Sequence, residues 1–247
     1  MTGRILYDNV FLDGTLSTTN EAVGFEGENA IDWVLHDAWK PGVVGTQEIE
    51  VNIGTNTPAD CFAIVGHNLG SEGCGVELSW YNGSIWTKVV DIASVSSDIA
   101  LLRAFTSASG SRWKVTITNC TVDAYISQIV AGAAYSVAFA PPLSPPGLMD
   151  IKVPKTVMSR GGRFVGRQVK SKPFPVKLKF STRTPTEVRS GAVPFLTHAN
   201  ALPFFVAWDA DLFPDEVAYC WTEKELKLPQ YRNTMFMDWA FNGVGQR

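Results

Sequence analysis

Four carboxylates lie close together in segment 208–216, where their spacing could support acid–base or cation chemistry. Ala210 separates Asp209 from Asp211, and Leu212–Pro214 separate Asp211 from the adjacent pair Asp215 and Glu216. Two such carboxylates can act as the acid and base of a glycoside hydrolase, or several can bind a cation. The segment lacks the glycine and the closing glutamate of an EF-hand loop, and its composition is typical of a solvated connection between strands. We therefore predict a structural role here, with no catalytic residue, no bound metal and no other cofactor.

The histidines and cysteines show no spacing that is typical of metal binding or nucleophilic catalysis. His36, His67 and His198 form no HExxH pair, and the sequence contains no nucleophile elbow or phosphate-binding glycine loop. His67 follows an apolar run and enters a turn, which favours a role in loop hydrogen bonding. The four cysteines lack a CxxC pair, so we predict free, buried thiols, although a bridge between Cys61 and Cys74 fits the spacing.

Eight tryptophans are a high number for 247 residues, and two of them lie in a turn-rich segment. Trp33 and Trp39, with His36 between them, precede the first long strand pattern. Aromatic rings on loops are well suited to recognition, so we predict these three residues as ligand-binding residues. Burial of Trp33 as a plug at one end of the fold is an equal alternative. Four further tryptophans lie on apolar strand faces and are predicted to be core side chains: Trp80, Trp113, Trp208 and Trp221.

Composition and charge favour a globular protein that does not bind nucleic acid and does not insert into a membrane. The chain is 45% hydrophobic and 18% charged, which suits one large or two modest domains. A formal net charge of −3 provides no basic surface for nucleic acid. The N-terminus lacks the apolar run of a signal peptide, and the apolar stretch at 129–140 is too short to span a bilayer, so we expect synthesis in a cytosol. One local cluster predicts a basic hairpin: Arg160, Arg163, Arg167, Lys170 and Lys172.

The elements of the first half are predicted to be antiparallel strands. Apolar and polar residues alternate in Thr46–Ile53, Gly75–Trp80 and Trp113–Ile117, as expected for strands with one buried face. Turn signals separate these segments, at 56–58, 70–73, 81–84 and 107–111. The pair Asn82-Gly83 between two tryptophans indicates a hairpin. Many short strands with regular turns predict a β-sandwich or barrel.

The second half of the sequence combines strand patterns with one helical segment. Residues 140–147 contain four prolines and are predicted to form a semi-rigid linker, which divides the chain into domains 1–139 and 148–247. Strand patterns at 163–168, 176–180, 202–208 and 216–221 surround one helical segment. Thr184, Pro185 and Glu187 give the helix-start signal of a capping box, and Pro194 is expected to shorten or split that helix. The fold class is therefore mainly β, with an N-terminal jelly-roll sandwich and a smaller C-terminal α+β domain.

The order of motifs in the first half resembles the galactose-binding-like jelly roll of the discoidin type. The resemblance is carried by these segments: Asn29–Asp32, Trp39–Pro41, Phe62–Leu69, Val76–Trp86, Arg112–Ile117 and Ile126–Gly132. In that family the loops at one end of the sandwich bind sugars, lipids or proteins, and a calcium ion often braces the segment that holds Asn29 and Asp32. The second acidic or threonine ligand of that calcium is not evident in this sequence, so no cation is predicted.

The second half resembles tail-tip proteins of tailed bacteriophages, in the segments 203–209, 214–222 and 233–243. That resemblance implies a structural virion protein of a phage tail tip or baseplate, assembled in the host cytoplasm. It would dock to other tail subunits in a symmetric oligomer and could attach to the host surface. The alternative is a carbohydrate-binding module that recognises a bacterial surface glycan. A glycoside hydrolase built on the carboxylates of 208–216 is a third and weaker hypothesis.

Overall fold

The computed structural model describes residues 3–137, 151–161, 163–227 and 229–247, and the predicted linker at 140–147 lies outside these residues. The described strands are β1 Gly3–Leu6, β2 Thr15–Thr18, β3 Gly45–His67, β4 Gly75–Tyr81, β5 Trp86–Ile92, β6 Leu101–Cys120, β7 Ile126–Gly132, β8 Tyr135–Val137, β9 Ile151–Met158, β10 Phe164–Lys172, β11 Phe174–Arg183, β12 Phe204–Ala207, β13 Val217–Trp221, β14 Gln230–Tyr231 and β15 Met237–Gln246. The helical segments are two short 3₁₀ turns, Val10–Leu12 and Gly27–Ala30, and the pieces α1 Pro185–Glu187, a π turn Val188–Ala192 and α2 Val193–Ala199.

The first half folds as an antiparallel sandwich, as the alternating pattern predicts. Its strands are ordered β2-β3-β6-β4-β5, and β7 pairs with the second part of β3. Ile49 and Val51 face the same core as Phe62 and Ile64, because β3 runs through both layers. This first core is fully apolar at these positions, as close packing between two sheets requires.

Two predicted turns are wrong, because the strands bend there instead of ending. Residues 56–58 and 107–111 lie inside β3 and β6, where Thr57 pairs with Gly110 and Pro58 with Ser109. The register shifts between Asn52 and Thr57, so a bulge bends the strand from one layer to the other. The residues that predicted turns are therefore the residues that allow this bend.

The second half contributes a second antiparallel sheet, ordered β11-β15-β13-β12-β1-β8. Ile5 of β1 pairs with Val206 of β12, and β8 pairs with the other edge of β1. Segments from both ends of the first half thus belong to the second sheet, although the boundary near residue 139 stays a prediction. The α+β character of the second half is confirmed, because the helical segment 185–199 packs on this sheet through Phe195 and Leu196.

The sandwich core is the first core, and the cluster between the second sheet and the helical segment is the second. A third core lies between the sandwich and the second sheet. Cys61, Ala63 and Val65 of β3 point away from the sandwich core and join Phe205 and Ala207 of β12. The alternate residues of β12 instead face the helical segment. Both strands are therefore buried on both faces, and the molecule is layered: an outer sandwich sheet, an inner sandwich sheet, the second sheet and the helical segment. We call the cluster between the inner sandwich sheet and the second sheet the third core.

The helix-start signal at Thr184 is confirmed. The Thr184 hydroxyl accepts a hydrogen bond from the backbone N–H of Glu187 at 3.3 Å, and Pro185 occupies the first turn. The expected division at Pro194 takes the form of the π turn 188–192, which separates α1 from α2. The wider turn accommodates the missing N–H of the proline without ending the helical path. Among the described helices, the longest is far shorter than a bilayer crossing requires, so none qualifies as a candidate membrane span.

Candidate functional site

A surface cleft lies where the long connection between β2 and β3 meets the start of β7. The backbone of Trp39 bridges Ile126 in both directions, with N···O distances of 2.9 and 3.1 Å. Lys40 N–H donates to the Phe25 carbonyl at 3.3 Å, and Ala22 N–H donates to the Lys40 carbonyl at 3.0 Å. These bonds fold the connection back on itself and hold it against the sandwich. The cleft lies between residues 24–40 of this connection and residues 125–127, and it has a volume of about 300 Å³.

Two aromatic rings and a lysine form the floor of the cleft. Phe25 and Tyr125 are half-buried, and the ammonium of Lys40 lies 4.4 Å from the centre of the Phe25 ring and 6.0 Å from that of Tyr125. The shorter distance is typical of a cation–π contact. The lysine therefore adds a hydrogen-bond donor close to both rings.

Polar groups line the rim of the same cleft. His36 Nε2 lies 3.3 Å from a carboxylate oxygen of Asp37, and both side chains are largely exposed. The Asn29 amide donates to the Ala38 carbonyl at 3.4 Å, which closes the rim. Ser127 of β7 completes the lining. An imidazole, a carboxylate, an ammonium and an amide around two rings can satisfy a ligand that has both hydroxyl groups and apolar C–H faces.

Asn68 positions Tyr125 from the neighbouring strand end. Its side-chain oxygen accepts the N–H of Tyr125 at 2.8 Å, and its side-chain amide donates to the Asp123 carbonyl at 2.9 Å. The backbone N–H of Asn68 donates to the Tyr125 carbonyl at 3.4 Å. One asparagine thus satisfies several backbone groups of the turn before β7, which holds the tyrosine in place.

The prediction that Trp33 and Trp39 present rings to a ligand is corrected by their burial. Trp39 is 0% exposed in the sandwich core and Trp33 is 6% exposed in the third core. Neither ring has a free face for stacking. Of the three predicted ligand-binding residues, only His36 lies on the surface, at the rim of the cleft. A ligand role for His36 stays a prediction, and Trp33 is buried in the third core, between the sandwich and the second sheet.

The backbone of Trp33 has a left-handed conformation with φ of 67°. This region is unfavourable for a bulky side chain, by about 1–2 kcal/mol. Two buried side chains hold it: Trp33 N–H donates to Gln128 Oε1 at 2.7 Å, and Tyr219 O–H donates to the Trp33 carbonyl at 2.8 Å. The edge of the ring contacts His198 at 5.2 Å between ring centres. Trp33 therefore connects β7, β13 and α2 at the third core.

The predicted hydrogen-bonding role of His67 is confirmed. The buried ring donates from Nε2 to the Ile99 carbonyl at 3.0 Å and accepts the N–H of Leu69 at Nδ1 at 3.3 Å. Burial lowers the pKa of His67, which favours the neutral ring that this arrangement requires. The four cysteines all lie within the described residues and are free and buried, as predicted, so Cys61 and Cys74 form no bridge.

Two carboxylates of 208–216, Asp209 and Asp215, have structural partners in the fold. The side chain of Asp209 is 1% exposed and accepts the N–H of Leu212 at 3.3 Å, while Asp215 pairs with Arg103 at 3.3 Å. Asp32, in the predicted calcium-bracing segment, accepts the N–H of Val34 at 2.8 Å. Within the described ranges, no group of three or more histidine, cysteine, aspartate or glutamate side chains is arranged to hold a metal ion.

A larger cavity of about 530 Å³ lies over the second sheet. Six of its twelve lining residues are charged, with both signs present, among them Lys179, Glu223 and Asp238. Its aromatic residue, Trp239, is 4% exposed and stacks on Phe180 with ring centres 4.0 Å apart. Because that ring is already covered, the cavity offers no aromatic face, and the cleft at Phe25 is the stronger candidate site.

Sequence reasoning missed Phe25, Lys40 and Tyr125. The available signal was weak: Phe25 follows Gly24 in a turn-rich segment, and Tyr125 precedes an apolar strand. The nearby tryptophans, Trp33 and Trp39, were predicted as ligand-binding residues instead, because indole rings are common in binding sites. A single sequence does not distinguish a tryptophan that anchors a loop from one that meets a ligand.

Comparisons with known proteins give structural likeness only. No protein-family model and no curated protein matches the chain. Chitosan-binding module 1 of a chitosanase/glucanase from Paenibacillus sp. IK-5 is 20% identical with a TM-score of 0.42, and the match covers 50% of this chain and 97% of the module. The CBM32 of AlyQ, in complex with 4,5-unsaturated mannuronic acid, is 17% identical with a TM-score of 0.40, over 51% of this chain and 96% of that module. A GH29 fucosidase from Ruminococcus gnavus, in complex with fucose, is 17% identical with a TM-score of 0.42, over 50% of this chain and 26% of the fucosidase.

These likenesses cover about half of this chain. Two of the three structures are carbohydrate-binding modules, and none of the three is a phage tail protein. At this level of similarity they carry no information on what this chain binds. The predicted tail-tip role, virion location and tail partners gain no support from them and stay predictions.

Proposed function

We propose that this protein binds a glycan through the cleft that contains Phe25, Lys40 and Tyr125. The observation that carries the proposal is the composition of the cleft: two half-buried rings with one ammonium close to both, and polar side chains on the rim. Sugars have apolar C–H faces that pack on aromatic rings and hydroxyl groups that need donors and acceptors. The cleft supplies both within one small volume.

Each residue has a distinct part in the proposed binding. The rings of Phe25 and Tyr125 cover one face of a sugar, and Lys40 donates to a hydroxyl group between them. Asp37 accepts hydrogen bonds at the rim, where His36 can donate one. The volume of about 300 Å³ lies at the low end for small-molecule sites, which favours a terminal sugar over a long chain.

The test begins with the full-length protein on an array of bacterial surface glycans, followed by calorimetric titration of the strongest ligand. Phe25→Ala and Tyr125→Ala are expected to weaken binding at least about tenfold, or about 1.4 kcal/mol. The matched control is Trp86→Ala, since Trp86 is also a half-buried aromatic residue but lies beside Arg112, outside the cleft. If no glycan binds, or if both cleft variants bind as the unaltered protein does, the proposal is wrong.

A second candidate function is assembly into a larger particle, which includes the tail-tip role predicted from the sequence. One feature favours it: β9 and β10 form a separate two-stranded sheet with exposed apolar residues at its turn. This hypothesis requires the protein to be present in purified phage particles in a fixed copy number. Quantitative mass spectrometry of such particles would measure that number, and its absence from them would exclude the role.

A further inference from the structure

The β9–β10 hairpin forms a two-stranded sheet of its own. Its strands pair only with each other in the described sheets, with Arg167 opposite Thr156. The described side chains of 155–160 and 163–165 are all exposed. Consecutive residues of a strand point to opposite faces, so neither face of this part of the hairpin is covered. We call residues 151–172 the arm.

The turn end of the arm is apolar. Four large side chains there are between 48% and 65% exposed: Val157, Met158, Phe164 and Val165. A lone two-stranded hairpin is marginally stable in water, and a cluster of exposed apolar side chains marks a surface that another molecule covers. The arm therefore has the properties of a docking element.

The arm is also the most basic part of the chain. It contributes +7 and no acidic residue to a chain whose formal net charge is −3, so the remaining residues carry −10. Its basic residues are Lys152, Lys155, Arg160, Arg163, Arg167, Lys170 and Lys172. A charge separation of this size within one chain gives two surfaces that attract each other between molecules.

The complementary charge lies near the N-terminus. Residues 5–39 contain seven acidic residues and no lysine or arginine, and none of these seven acids is buried: Asp8, Asp13, Glu21, Glu26, Glu28, Asp32 and Asp37. Glu21 and Glu26 accept backbone N–H groups at Gly27 and Gly24, so they lie around the tip residue Val23. Val23 is 99% exposed. We call residues 19–30 the acidic loop.

We propose that the arm of one molecule docks on the acidic loop of a second copy of this chain. The arm offers apolar side chains between cations, and the loop offers an exposed valine between carboxylates. The exposure of the arm shows that the loop of the same molecule does not cover it. Because the two surfaces differ, the contact generates a paired dimer with two such contacts or a closed ring. This inference does not rest on glycan binding.

The test measures the mass of the full-length protein by sedimentation velocity at about 50 mM and about 500 mM salt. We expect an oligomer at low salt whose dissociation constant rises at least about tenfold at high salt, since exposed charge pairs are screened. Arg160→Glu with Arg163→Glu is expected to give a monomer at low salt, as is Glu26→Lys with Glu28→Lys. Mixing these two double variants restores association, because each reversed arm then meets a reversed loop.

The matched control reverses two exposed lysines outside the arm, Lys224→Glu with Lys227→Glu, and is expected to associate as the unaltered protein does. All of these positions are exposed, so circular dichroism should show each variant to be folded. A monomer at every salt and protein concentration would overturn the proposal, as would association that the arm reversal leaves unchanged. Binding of the arm to anionic vesicles or to single-stranded DNA without self-association would assign it another partner and likewise overturn it.

Discussion

Replacing Tyr219 by phenylalanine removes one hydroxyl group from the third core and leaves the ring in place. Tyr219 is 2% exposed, and its hydroxyl donates to the Trp33 carbonyl at 2.8 Å. Burial raises the pKa of Tyr219, so the hydroxyl remains a donor throughout the neutral range. The bond joins β13 of the second sheet to the connection between β2 and β3 of the sandwich. Tyr219→Phe is therefore a test of whether that connection stabilises the whole fold.

The expected loss follows from the environment of the carbonyl. A buried acceptor that loses its donor costs about 1–3 kcal/mol. The backbone of Trp33 has an unfavourable φ of 67°, and this substitution removes one of the two hydrogen bonds from buried side chains that hold it. For a chain of this length, each kcal/mol lowers the melting temperature by about 2 °C. We expect Tyr219→Phe to lower it by about 2–6 °C.

Urea unfolding followed by tryptophan fluorescence and by circular dichroism gives the free energy directly. Because β1 lies in the second sheet and the third core joins both halves, we expect the two signals to change together in one transition. Tyr81→Phe is the control, since Tyr81 is half-buried on the β4–β5 hairpin. A loss below about 0.5 kcal/mol for Tyr219→Phe, or an equal loss for the control, would refute the reasoning.

Three further predictions concern Trp39, His67 and Asn68, whose surroundings are described above. Trp39→Ala is expected to lower the free energy of unfolding by about 3–5 kcal/mol in urea titrations, because Trp39 is 0% exposed and leaves a cavity. Burial lowers the pKa of His67 below that of a histidine in the unfolded chain. Below about pH 6.5 the unfolded chain therefore binds a proton at this histidine more readily than the folded chain does. The free energy of unfolding is greatest above that pH and decreases as the pH falls below it. Thermal unfolding across this range should show the loss, and His67→Gln should reduce it, leaving the similar contribution of His198. Asn68→Ala is expected to weaken glycan binding about tenfold by releasing Tyr125, while Asn68→Asp, which keeps the acceptor, retains more affinity in the same titration.

The local pattern of the sequence was sufficient for most strands of the sandwich. The hairpin at Asn82 is confirmed: its side-chain oxygen accepts the N–H of Ser84 and of Ile85 at 2.9 and 3.0 Å, and Gly83 has φ of 95°. These features depend on neighbouring residues only. Alternation is a local property that one sequence contains, whereas the turn signals at 56–58 and 107–111 mark bends within β3 and β6.

The candidate site was predicted at the correct connection but with the wrong rings. Trp33 and Trp39 lie in the segment that forms the cleft, and their indoles point into two different cores. Burial of an irregular segment depends on what packs over it, and here part of the cover is β13 and α2 from the far end of the chain. No local signal contains that information, since the contacts span more than a hundred residues.

One signal for the layered arrangement was nevertheless present. Cys61–Val65 and Phe204–Ala207 are continuous apolar runs, unlike the alternating segments at 46–53, 75–80 and 113–117. A strand with one solvated face alternates, whereas a strand covered on both faces does not. Each of these two strands therefore requires other elements to pack on both of its faces. The structure meets this need by placing the alternate residues of both runs in the third core. A break in alternation, at 61–65 and again at 204–207, therefore predicts contact between the two halves more directly than the proline-rich segment predicts their separation.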